Sequence, residues 1–258
     1  MISLLKKSRF VQGLQRWWWA QSEKKEVLKR EGDNRFFKRA QIQDEVLLSV
    51  LGKDREQTDI SDHLSTLYGL ALISAPKLIV ELGTRGGEST RALLAGASRT
   101  GATILSIDIE DCGDIEMPFK DQWNFIKADD VEFGKNEFEG WCKGKGLEPQ
   151  IDFLFIDTSH VYEHTKDEVA IWEKFLSPGG VMAFHDTNMG DGYFKRMDGS
   201  VGIGWDNKRG VIRVVEELIG REYDASSFFC DTLSGYAIIH FPFCNGLTVM
   251  KKLPEGRK

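Results

Sequence analysis

No apolar run in the chain approaches the length a helix needs to cross a membrane. The first residues lack a compact apolar block followed by a small-residue cleavage site, so no secretory signal is expected. Cysteine is scarce: Cys112, Cys142, Cys230 and Cys244 are scattered, and no CxxC pair occurs. That spacing argues against a cysteine zinc site and suits a reducing, cytoplasmic location. Internal repeats and low-complexity tracts are absent, which excludes a solenoid or an array. A basic surplus is also missing, because the net charge is −6. Residues 1–40 hold eleven Lys or Arg against four Asp or Glu, about +7, so the remainder carries about −13. An acidic body is a poor match for a phosphate backbone, and no nucleic-acid partner is expected.

What is present suits a globular chain. Of 258 residues, 41% are hydrophobic and 29% charged, enough apolar material for one large core. Leu4, Leu5, Val11, Leu14 and Trp18 recur near helical spacing, and the stretch from Phe36 to Leu51 behaves similarly. Residues 1–52 therefore read as an N-terminal helical extension, and residues 53–258 as the main domain. The basic extension carries Trp17, Trp18 and Trp19, which cannot share one helix face. Those residues suit packing over the domain or subunit contact in a homo-oligomer, and less well a lipid surface.

From Pro76 the pattern becomes short apolar runs: Leu78–Val80, Ile104–Ile107, Phe125–Ile126, Phe153–Ile156 and Val181–Phe184. Such runs suit a parallel sheet buried on both faces. Helical stretches such as Ser89–Ala97 and His164–Leu176 separate several of them. The segments Ser227–Cys230 and Tyr236–Phe241 flank a Ser234-Gly235 turn and read as a hairpin. The expected fold is α/β: a doubly wound, mostly parallel seven-stranded sheet with a C-terminal antiparallel hairpin.

In such a sheet, ligands bind beyond the carboxyl ends of the strands. The first strand runs into Glu81-Leu82-Gly83-Thr84-Arg85-Gly86-Gly87-Glu88-Ser89-Thr90. Glycines there allow a sharp turn and close approach to a ligand. Asp108 ends the next strand, where a carboxylate can accept hydrogen bonds from ribose hydroxyls. Together these point to an adenosine-containing cofactor. A pyrophosphate disfavours the acids Glu81 and Glu88 at the turn, whereas the sulfonium and ammonium groups of S-adenosylmethionine (SAM) tolerate them.

Residues Ile79 to Thr90, the pair Ile107-Asp108 and the stretch Ile151 to Thr187 resemble the class I SAM-dependent methyltransferases. Phe155-Ile156-Asp157-Thr158-Ser159-His160, Ser177-Pro178-Gly179-Gly180 and Phe184-His185-Asp186-Thr187 are similar to a bacterial branch of these. That branch holds sugar, macrolide and other natural-product O-methyltransferases and the related cephalosporin-hydroxylase-type proteins. The resemblance implies that Glu81, Gly83 and Gly87 line the methionine end of SAM, with Thr84 and Ser89 in the same cofactor-binding turn. It implies that Asp108 holds the ribose and that Asp129, next to Asp130, sits near the adenine. Asp157 would close the cofactor site.

Methyl transfer to a hydroxyl needs a positioned acceptor and help in losing its proton, from a base or a divalent metal. Asp157 ends the fourth strand, and His185 and Asp186 end the fifth, so the three can converge. By resemblance to metal-dependent catechol-type enzymes, Asp157, His185 and Asp186 would form a metal set for Mg²⁺ or Mn²⁺. His160 falls where those enzymes place a lysine base. It is the first candidate for the catalytic base, and His185 is the second. The segment 186–210, rich in glycine and carrying Tyr193, Phe194 and Trp205, reads as a long loop over a small-molecule acceptor. The expected function is a SAM-dependent O-methyltransferase. An NAD-type oxidoreductase and a non-catalytic or hydroxylase-associated member of the fold are the competing readings.

Overall fold

The computed structural model describes residues 45–53, 58–189, 192–195, 201–205 and 209–254. The chain divides into two compact units, residues 1–43 and 44–258, and every described residue belongs to the second. The helices expected before residue 45, with Trp17, Trp18 and Trp19, lie outside the described residues. The end of the predicted Phe36–Leu51 helix appears as α1, Glu45–Lys53. No helix among the described residues is long and apolar enough to cross a membrane.

Helix α2, Leu64–Ile73, leads into β1, Leu78–Leu82, whose five residues are all buried. Next come α3 (Glu88–Thr100), β2 (Thr103–Asp108) and β3 (Trp123–Lys127). Helices α4 (Asp130–Asn136) and α5 (Phe138–Lys145) precede β4 (Ile151–Ile156), and α6 (Tyr162–Trp172) precedes β5 (Leu176–His185). A two-stranded hairpin, β6 (Gly192–Lys195) with β7 (Val201–Trp205), then leads to α7 (Gly210–Ile219). Three strands close the sheet: β8 (Phe229–Leu233), β9 (Tyr236–Phe241) and β10 (Leu247–Lys252).

The main sheet has eight strands in the order β3-β2-β1-β4-β5-β10-β9-β8, the first five parallel. It therefore has one strand more than the sequence reading supplies. The expected hairpin is present as β8–β9. The added strand is β10, which inserts antiparallel between β5 and β9. The segment 186–210 also differs from expectation, because two antiparallel strands form within it. The side chains of Tyr193, Phe194 and Trp205 fall outside the described residues.

Period-two alternation explains why the sheet is covered on both faces. Leu78, Val80 and Leu82 of β1 join a core with Phe133, Phe138, Trp172 and Val215 from the helices after β3. Ile79 points the other way, into a core with Leu67, Leu93, Phe153 and Phe155. Helices α1 to α3 thus cover one face, and α4 to α7 the other. The carboxyl ends of β1, β2 and β4 are left free to carry loops.

Candidate active site

The turn after β1 is fixed by backbone geometry. Gly83 adopts φ +86°, and a Cβ there would stand 2.0 Å from the carbonyl oxygen of Asp157. Only glycine avoids both the strained φ and the clash. Gly83 N–H donates to Ile107 O at 2.9 Å, and Asp157 N–H donates to Leu82 O at 2.9 Å. The end of β1 is thereby tied to its neighbours on both sides. Gly87, at φ +74°, caps the start of α3.

Asp108 ties this turn down. Its Oδ2 accepts from Thr84 N–H at 2.7 Å and Arg85 N–H at 3.0 Å, and its Oδ1 accepts from Glu110 N–H at 2.8 Å. The same carboxylate borders a cavity of about 600 Å³ at the strand ends. Gly83, Thr84, Ser89, Asp129, Asp157 and His160 border it as well, so most of the expected cofactor residues meet in one place. Asp129 caps α4, with Oδ1 accepting from Glu132 N–H at 2.9 Å. Gly87 is outside this lining, although Gly86 and Glu88 on either side of it are within.

Glu81 behaves differently from expectation. It is fully buried and does not border the cavity. Its carboxylate accepts from Ser89 Oγ at 2.7 Å, Thr90 Oγ1 at 2.7 Å and Ser106 Oγ at 2.6 Å. Burial nevertheless pushes its pKa up to about 7, against the pull of the three hydroxyls. Glu81 lies opposite Ser106 in the β1–β2 register, so it locks two strands and α3 together beneath the turn.

The cavity lining is predominantly acidic: Asp59, Glu88, Asp108, Glu110, Asp129, Asp130 and Asp157 stand against Arg85, His160 and His164. Such a wall suits a cationic sulfonium and ammonium and opposes a pyrophosphate. Thr84 Oγ1 is buried at this wall with no hydrogen-bond partner. A second cavity of about 570 Å³ shares Gly86 and Glu88 and is mostly apolar, bordered by Val46, Val50, Leu64, Ala92 and Phe119. It contains none of the strand-end acids that the chemistry needs.

Beyond β4 and β5, four side chains converge. His160 Nε2 lies 2.7 Å from Asp186 Oδ2 and 3.5 Å from Asp157 Oδ1. His185 Nδ1 lies 3.2 Å from both Asp157 Oδ1 and Asp186 Oδ2. His160 and Asp186 both occupy the left-handed region, at φ +60° and +57°. Such backbone conformations concentrate at functional sites, and His and Asp tolerate them better than most residues.

The two histidines are not equivalent. His185 Nε2 lies 3.1 Å from Cys244 O, while its Nδ1 faces the two carboxylates. Both ring nitrogens therefore face acceptors, an arrangement that favours the protonated ring. Burial opposes that charge, but Asp157 and Asp186 outweigh it and raise the His185 pKa well above its ordinary value. His160 follows the same pattern: burial is outweighed by Asp157 and Asp186, which hold its pKa up at about 9. For Asp157, burial is outweighed by His185 and His160, which keep its pKa well below the usual carboxylate range.

The donor set for a metal changes in one member. The ligand atoms within 4.8 Å of one another belong to Asp157, His160 and Asp186. His185, expected in that set, is 1% exposed and is engaged as a hydrogen-bond donor on both sides. The cause lies in the register. His185 is still within β5, opposite Leu247 of β10, so its ring turns toward the β9–β10 turn rather than the cavity. Asp186 Oδ1 is buried with no hydrogen-bond partner, which a cation at this site would satisfy. Two carboxylates and one imidazole suit Mn²⁺ and also admit Mg²⁺.

Sequence reasoning missed three groups that shape the site. His63 Nε2 lies 2.9 Å from Phe243 O and anchors the turn whose Cys244 carbonyl holds His185. His164 and Glu168 stand one helical turn apart on α6, beside Asp130. Their i, i+4 spacing was the available signal.

A family model described as a methyltransferase domain matches residues 80–187. A comparison with curated proteins gives no match. Among solved structures, a protein from Corynebacterium glutamicum aligns at 14% identity over 89% of this chain and 100% of its own, with a TM-score of 0.53. A proposed caffeoyl-CoA O-methyltransferase from Staphylococcus aureus aligns at 18% identity over 89% and 99%, with a TM-score of 0.52. At such identities the likeness is one of fold. The matched segment runs from β1 through Asp108, Asp157 and His160 to Asp186, so it takes in the cavity lining other than Asp59 and Ile60 and the cluster beside it. The family model thus supports a methyltransferase domain over residues 80–187, and the solved structures share its fold.

Proposed function

We propose that this protein transfers the methyl group of SAM to a hydroxyl of a small molecule. One observation carries the reading: Asp157, His160 and Asp186 converge at the ends of β4 and β5, beside the acid-lined cavity that the glycine turn and Asp108 border. SAM supplies an electrophilic methyl group, so the protein has mainly to position donor and acceptor. Asp108 holds the ribose, Asp129 sits near the adenine, and the Gly83–Gly87 turn lines the methionine end. The acidic wall favours the two positive charges at the methionine end.

A divalent cation held by Asp157, His160 and Asp186 would lower the pKa of an acceptor hydroxyl. In this arrangement His160 would serve as a ligand in its neutral form, with the cation replacing the proton that Asp157 and Asp186 hold on its Nε2. His185 keeps both carboxylates oriented from behind, through Nδ1. The acceptor class is a sugar or a ring-bearing natural product, as in the branch that the sequence resembles, and the protein acts in the cytoplasm.

Calorimetric titration with SAM, S-adenosylhomocysteine and NAD tests the cofactor. Mass spectrometry then tests transfer of one methyl group to a panel of sugars and catechols. Binding of NAD in preference to SAM would overturn the reading.

A further inference from the structure

A second cluster stands on the α6 side of the cavity, apart from the one used above. Asp130 opens α4, and His164 and Glu168 lie one turn apart on α6. Their ligand atoms all lie within 4.8 Å of one another. His164 Nε2 is 3.2 Å from Asp130 Oδ1 and 3.6 Å from Glu168 Oε1. Thr158 Oγ1 donates to Glu168 Oε1 at 2.7 Å, which orients that carboxyl group.

Burial makes this cluster unusual. Glu168 is 0% exposed and Asp130 is 4% exposed. Asp130 Oδ2 and Glu168 Oε2 are both buried with no partner outside the cluster, and the two carboxyl groups face each other closely enough to share a proton. No Lys or Arg among the described residues pairs with either carboxyl group. Two adjoining buried carboxyl groups with unmatched oxygens call for positive charge between them. The imidazole of His164 is half-exposed at the edge and reaches one oxygen of each.

We propose that Asp130, His164 and Glu168 form a second divalent-cation site, separate from Asp157, His160 and Asp186. Two carboxylates with one imidazole suit Mn²⁺ or Zn²⁺ better than Ca²⁺, which takes oxygen ligands. Asp130 and His164 also border the cofactor cavity, so a fourth position opens toward solvent in that cavity. A cation here cross-links α4 to α6 and braces the adenine side of the cavity. It takes no part in the proton chemistry at Asp157.

The test is Mn²⁺ binding by the full chain, with free Mn²⁺ counted by electron paramagnetic resonance. Wild type should bind two equivalents. Asp186→Asn should lose one, and Glu168→Gln should lose the other. His164→Ala, at a half-exposed position, repeats the second measurement in a variant that keeps the buried carboxyl groups. The Mn²⁺-induced rise in melting temperature should shrink in His164→Ala. If Glu168→Gln and His164→Ala both bind as many equivalents as wild type, the proposal is overturned and a proton shared by the two carboxyl groups takes its place. A single equivalent lost only in Asp186→Asn overturns it while leaving the catalytic metal intact. A single equivalent lost only in Glu168→Gln and His164→Ala supports it and removes the metal from the catalytic site.

Discussion

His160 Nε2 lies 2.7 Å from Asp186 Oδ2, so a residue from the loop after β4 and one from the end of β5 share a single contact beside the cofactor cavity. Asp157 reaches the same nitrogen at 3.5 Å. Removing either partner should separate chemistry from binding. His160→Ala and Asp186→Asn should each lower turnover roughly 100-fold or more while changing SAM affinity only slightly. Chelation should give a similar loss, restored by Mg²⁺ or Mn²⁺. Steady-state kinetics on metal-stripped protein provide the check, and full activity there would exclude a catalytic metal.

His185 should fail in a different way. It is buried between two carboxylates and the Cys244 carbonyl, so His185→Ala leaves two like charges facing each other. Removing one partner of a buried charge network typically costs about 3 kcal/mol. Urea denaturation should show that loss, whereas His160→Ala should lose less stability and more turnover. The reverse ranking would make His185 the residue closer to the acceptor.

Asp108 both anchors the glycine turn and borders the cavity. Hydrogen bonds to a charged group contribute about 1.5–3 kcal/mol, so Asp108→Ala should weaken SAM binding by roughly 10- to 100-fold. Calorimetry with S-adenosylhomocysteine measures this without turnover. Unchanged affinity would remove the ribose assignment.

Gly83→Ala should be far more damaging than an ordinary surface change. The positive φ alone costs a residue with a Cβ about 1–2 kcal/mol, and the Asp157 carbonyl blocks the methyl group. The expected result is a lower melting temperature together with lost cofactor binding, because the turn and β4 must part. A variant that melts and binds like wild type would show that the turn can relax.

Glu81 gives the fold a pH dependence of defined sign. Its pKa is about 7 in the folded chain against an ordinary value of 4.5. Between these values the unfolded state has released the proton while the folded state retains it, so stability falls as pH rises. The slope is about 1.4 kcal/mol per pH unit. Below 4.5 both states hold the proton, and above 7 neither does. Denaturation curves of wild type and Glu81→Gln across this range should differ in slope, with the variant flatter. Parallel slopes would mean that Glu81 titrates as an ordinary carboxyl group.

The five parallel strands were legible because each is a buried apolar run at the expected spacing, and the strand-end acids Asp108 and Asp157 followed from them. Strand β10 was harder to read. Its Leu247, Val249 and Met250 are interrupted by Thr248 and followed by two lysines, and besides the preceding β9 it pairs with β5, across the 61 intervening residues 186–246. The choice between His160 and His185 was not legible either. It depends on the φ of +57° at Asp186 and on a carbonyl from Cys244, 59 residues away. Glu81 was misplaced for a related reason. The motif shows an acid before a glycine turn, but only the β1–β2 register reveals that three hydroxyls enclose it.

The position of β10 also has a kinetic consequence. Strands β1 to β5 can pair as soon as residue 185 is available, but the exposed edge of β5 stays unpaired until residues 247–251 arrive. During synthesis that edge is a template for any passing extended chain. Loop-closure entropy further delays its capture, since the pairing spans more than sixty residues of intervening chain. Once β10 has zipped in, it carries β9 and β8 with it and seals the edge. Until β10 docks, the growing chain therefore presents an open strand edge that the finished fold no longer has.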